Sequence, residues 1–103
     1  MNETLFKQVK RKLNITWEDD TTNARVTDII NAAIPILSHK LGITDPNMDF
    51  SISGAENMLF LAYCLYEWNH SVAEFDVNYS NEIAQIRAKY AVAAYENEVE
   101  DDE

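Results

Sequence analysis

The chain predicts an all-α fold, a small bundle of about four helices. Three observations carry that expectation. Apolar residues recur at three- and four-residue spacing over long stretches, the signature of helices with one buried stripe. Only two Gly and two Pro occur, too little punctuation for many short strands. The 103 residues, 47% of them hydrophobic, are enough to enclose one core. Residues 1–95 read as a single domain, and 96–103, with six acids and no base, as an acidic flexible tail.

The first helix is expected over about residues 3–13, where Leu5, Phe6, Val9 and Leu13 form the apolar stripe. Lys7, Lys10, Arg11 and Lys12 take the remaining surface, and three of them fall in the last turns, where cations complement the helix dipole. The following "NITWEDDTTN" is rich in turn and N-cap residues, and Trp17 within it is expected to fold back as a lid on the core.

A second helix, about Thr22 to Leu41, places Val26, Ile30, Ala33, Leu37 and Leu41 at helical spacing, with Gly42 as its C-cap. Pro35 in its interior is expected to kink or split it.

The loop "DPNMDFSISGAE" (45–56) admits two readings. Asp45, Asn47, Asp49, Ser51, Ser53 and Glu56 match the ligand spacing of a calcium loop, but Phe50 stands where the tight turn needs glycine. Ser53-Gly-Ala-Glu56 also reads as a capping box that opens the third helix, and this simpler account is preferred.

The third helix, about 53–70, carries "NMLFLAYCLYEWN", in which Met58 to Tyr66 pass without a charge. A bilayer span needs about 20 apolar residues, so this run is not a membrane segment. At about 100° per residue Phe60 and Tyr63 share a stripe with Glu56, Glu67 and His70. Met58, Leu61, Ala62 and Leu65 face the other way and are expected to form the dry face. Phe60 and Tyr63 are then either covered by the next segment or part of a subunit contact. That segment, "SVAEFDVNYS" (71–80), alternates Phe75, Val77 and Tyr79 and reads as a short extended arm between helices three and four. The fourth helix, about 80–97, is expected to bury Ile83, Ile86, Tyr90 and one or both of Ala93 and Ala94.

Function classes narrow by what the residues lack. Cys64 is the sole cysteine, sits in the apolar run and reads as a buried core residue. The N-terminus has no apolar signal region, which predicts an intracellular protein. His39 and His70 have no metal-ligand partner at helical spacing, and Glu18, Asp19 and Asp20 sit in an open polar loop. No glycine-rich phosphate loop or nucleophile elbow occurs, so neither catalysis nor a cofactor is expected. Net charge is −10, which argues against general nucleic-acid binding. It is unevenly spread: residues 1–14 hold four cations against Glu3 alone, residues 96–103 hold six acids and no base, and the middle supplies the remaining −7. Such asymmetry suits head-to-tail contact between copies.

The segments "LNITWEDDTTNARVTDIINAAIPILSHKLG" (13–42), "AENMLFLAYCLYEWNHSVAEF" (55–75) and "NYSNEIAQIRAKYAVAAYE" (78–96) together resemble the small head–tail connector (adaptor) proteins of tailed bacteriophages of Gram-positive hosts and their prophages. The resemblance lies in the order of elements and in local phrases, since that family has no catalytic motif. It implies a helical structural protein that forms a ring, dodecameric in the virion, below the portal protein. Such a ring extends the DNA channel without sequence-specific binding and docks tail or stopper components. It places the chain at the head–tail interface of the virion, and in the host cytoplasm during assembly. By the same resemblance Lys7, Lys10, Arg11 and Lys12 would meet an acidic surface of the next subunit. Phe75, Val77 and Tyr79 would reach a neighbouring protomer or line the ring, and the end of helix four would lie near the portal. The competing expectation is a small helical regulatory module that binds DNA or a protein through its basic first helix.

Overall fold

The computed structural model describes residues 2–101 and, toward the C-terminus, side chains as far as Tyr95. It is all-helical, 73% helix, with no strands among the described residues. Five helices follow one another: α1 (Glu3–Lys12), α2 (Asp20–Leu41), α3 (Ala55–Trp68), α4 (Val72–Asn78) and α5 (Ser80–Asp101). α3 is the hub and packs on all four of the others, whereas α1 and α5 do not touch among the described residues.

Local chemistry fixes the helix ends. The Asn2 side chain accepts from the Leu5 amide at 3.0 Å and caps α1. At its far end Asn14 takes φ +60°, and the Ile15 amide returns to the Lys10 carbonyl. Asp19 caps α2, accepting from the Thr22 amide at 2.9 Å and its hydroxyl at 2.8 Å. Those hydrogen bonds hold the Asp19 carboxyl below its ordinary pKa. α2 closes at Gly42 (φ +72°), where the Gly42 amide donates to the His39 carbonyl and the Ile43 amide to Ser38. The Arg87 guanidinium of α5 donates to the His39 and Lys40 carbonyls at 3.1 and 3.0 Å, so α5 adds a second donor at His39 and satisfies the Lys40 carbonyl at the end of α2.

The core follows the stripes. Leu5 and Val9 of α1 meet Val26, Ile29, Ile30, Ala33, Leu37 and Leu41 of α2 around α3, with Phe50 stacked on Phe60 at 4.8 Å between ring centres. Pro35 does not split α2, which is helical on both sides of it. Pro35 and Asn31 are both exposed, so the carbonyl that loses its donor lies on the wet side of the helix.

Several expectations are corrected by packing. The 71–80 segment is not an extended arm: Val72–Asn78 is helical, because Val72, Phe75 and Tyr79 also stand at i, i+3, i+7. Trp17 is no lid. It is 50% exposed with its ring nitrogen donating to the Thr22 hydroxyl, and Ile15, at 6%, is the loop residue that enters the core. The capping box does not form either. Gly54 (φ +153°) precedes α3 with no side-chain cap, and Glu56 turns toward α5 instead. Among the described residues of α5 only Ile86 is buried and Ile83 and Tyr90 are half-buried, while Ala93 and Ala94 are exposed. The helix itself runs four residues past the expected end at 97, to Asp101. The expected flexible tail at 96–103 falls outside the described side chains.

α3 also presents a different face from the one expected. Met58 is 51% exposed and Leu61 and Leu65 are half-buried, while Leu59, Phe60, Ala62, Tyr63 and Cys64 form its dry side. The cause is the neighbours: Phe50 covers Phe60, and Phe75 of α4 meets Tyr63 edge-on at 5.3 Å.

Candidate interaction surface

The residues expected to make contacts divide cleanly. Phe60 and Phe75 are fully buried, Tyr63 is 3% exposed, and Tyr79 is half-buried against Phe75 and Tyr66. They belong to the protomer's own core, so the core alternative for Phe60 and Tyr63 is the observed one. α4 is tied down further: Lys40 donates to both carboxylate oxygens of Asp76 at 2.9 Å, and Asn78 donates to the Tyr66 hydroxyl at 2.9 Å. Val77 alone of the 71–79 candidates is open, at 76% exposure.

The basic helix keeps three of its four candidates. Lys10 is buried, with its ammonium on Glu18 at 2.9 Å and over the Phe6 ring at 5.5 Å. It is a positioning residue: it anchors the loop that leads into α2, and the bond from Lys10, then that from Asn23, holds the Glu18 carboxyl below its usual range. Lys7, Arg11 and Lys12 are exposed and form no salt bridge with any described residue. Arg11 and Lys12 flank a shallow cleft of about 340 Å³ between α1 and α3, completed by Gln8, Asn57 and Leu61. Gln8 is fixed there, since it donates to the Ser51 carbonyl and accepts from Asn57, both at 3.0 Å. The exposed Met58 is the residue after Asn57 on the same helix.

Two further surfaces stand out, a groove that has no counterpart in the expectations and the end of the last helix, which the resemblance had set near the portal. A groove of about 510 Å³ runs between the 42–45 turn and α5, lined by Ile43, Asp45, Arg87, Ala91 and Ala94. Beyond it α5 leaves the bundle: Ala91 to Tyr95 are all exposed, with Val92 at 56% and Tyr95 at 67%. The molecule is accordingly long, 55 × 28 × 19 Å. The signal for this was the alanine run, which packs poorly as a core stripe because each methyl buries little area.

Nothing in the described part converges on a reaction centre. No three or more His, Cys, Asp or Glu residues are placed to hold a metal among the described residues. The acids of the 45–56 loop are spent on local turns, Asp45 on the Asn47 amide and Asp49 on the Ser51 amide and hydroxyl. Cys64 is buried, and burial followed by the nearby Glu67 charge pushes its thiol up to about 12. No described helix is long and apolar enough to cross a membrane. No family model, curated protein or solved structure matches the chain.

Proposed function

We propose that this chain is a structural head–tail connector of a tailed phage. In this reading copies assemble as a ring below the portal protein, extend the DNA channel and dock tail or stopper components. It has no catalytic role. The observation that carries the reading is where free surface remains. Gln8, Lys10, Glu56 and Asn57 are spent on partners within the bundle, whereas the unspent features are peripheral: the exposed Lys7, Arg11 and Lys12 of α1, the cleft beside them and the exposed Ala91–Tyr95 stretch of α5. Surfaces of that kind serve assembly rather than small-molecule chemistry, which needs convergent groups in a concave site. The resemblance of residues 13–42, 55–75 and 78–96 to connector proteins supplies the biological setting.

Negative-stain microscopy of the protein mixed with its phage's portal tests this. Rings seated on the portal are expected; monomers alone and with the genuine portal overturn the reading. Binding to duplex DNA that falls steeply with salt points instead to the regulatory alternative through Lys7, Arg11 and Lys12.

A further inference from the structure

We propose that the outer, acidic end of α5 docks on the basic α1–α3 cleft of a second copy of this chain, in a head-to-tail contact. The inference rests on the connector reading for its setting but on charge and geometry for its content.

The cleft offers two exposed cations, Arg11 and Lys12, with Lys7 on the same helix and the apolar Leu61 in its lining. Its occupant must therefore combine negative charge with apolar side chains. The end of α5 fits that description. Val92 and Tyr95 are exposed at i, i+3, and the sequence then adds Glu96, Glu98, Glu100 and Asp101 before the described helix ends. Among the described residues α1 and α5 make no contact, so the two surfaces face a second copy. The contact is heterologous, one surface on each partner being different, so repetition generates a ring or an open chain. Charge complementarity fixes its polarity, since α5 against α5 or α1 against α1 would bring like charges together.

The test is a charge swap. One variant carries Arg11→Glu and Lys12→Glu; a second carries Glu96→Lys, Glu98→Lys and Glu100→Lys. Sedimentation velocity is run on each at low and moderate salt, with circular dichroism to check that helicity and melting are retained. The wild type is expected to self-associate with concentration, less so as salt rises. Each variant alone should associate at least about tenfold more weakly. An equimolar mixture should recover association, because every cleft then faces a tail of opposite charge. A wild type that stays monomeric at low salt and high concentration overturns the proposal, as does a mixture that fails to recover. Rings on the portal that ignore both variants sink this contact and leave the connector reading standing. Charge-swapped recovery without any portal binding does the reverse.

Discussion

Lys89 of α5 reaches Glu56 at the start of α3, Nζ to Oε1 at 3.1 Å, and the Tyr90 hydroxyl donates to the other oxygen of the same carboxylate at 3.0 Å. One acid thus anchors α5 to α3 through two neighbouring residues. Burial works against the Glu56 charge, but the hydrogen bonds from Lys89 and Tyr90 outweigh it and leave the carboxyl below its ordinary pKa. The Tyr90 hydroxyl is pushed up, by burial and then by its bond to Glu56.

The two ends of this anchor are unequal. Lys89 is 56% exposed and Glu56 18%. Lys89→Ala is expected to cost no more than about 0.5 kcal/mol, as exposed ion pairs do. Glu56→Ala should cost about 1–2 kcal/mol, because it strands the Tyr90 hydroxyl as well. Because the folded carboxyl is depressed, its contribution is complete above the unfolded glutamate pKa and is lost as pH falls through the folded value. Chemical unfolding of wild type and Glu56→Gln between pH 3 and 6 should show the gap closing toward the acid end.

Phe60→Ala should be among the most damaging substitutions, costing about 3–5 kcal/mol by removing a fully buried ring that stacks on Phe50. A double-mutant cycle with Phe50→Leu and Phe60→Leu should give a coupling of about 0.5–1.5 kcal/mol. Val77→Ser, on the exposed side of α4, should stay within about 0.5 kcal/mol in the same urea titrations. A mild Phe60 effect would mean that α3 presents a different face in solution.

Cys64 should be inert while the chain is folded. Its thiol has no exposed surface, and its titration near 12 leaves a negligible thiolate fraction at neutral pH. A thiol-reactive chromogenic disulfide should label it quickly in urea and, in buffer, only as fast as the protein opens. Rapid labelling of native protein would contradict the packing of α3.

Pro35→Ala should stabilise the chain by about 1–3 kcal/mol, read as a rise in thermal midpoint. The substitution restores a backbone donor in the interior of a continuous helix at an exposed position, where the new methyl meets no core neighbour. If the midpoint falls, the proline's loss of unfolded-state freedom outweighs the missing hydrogen bond.

The sequence by itself determined the all-α class and the places of the long helices. The stripes Leu5–Val9 and Val26–Ile30–Ala33–Leu37–Leu41 are buried as their spacing requires, and Gly42 ends α2 as a left-handed cap must. These features are local, since a helix with one apolar stripe has only one way to face a core. What only the tertiary structure decided lies where spacing gives no unique answer. α3 is apolar on most sides, so its dry face was set by what packs on it, Phe50 above Phe60 and Phe75 against Tyr63. The 71–80 segment satisfies both a two-residue and a helical period, and as a helix it packs Phe75 against Tyr63 and Tyr66 of α3. Glu56 had a capping partner in sequence and a better one in space. The cleft beside Arg11 and Lys12 exists only because α1 lies along α3, and no periodicity within either helix encodes that.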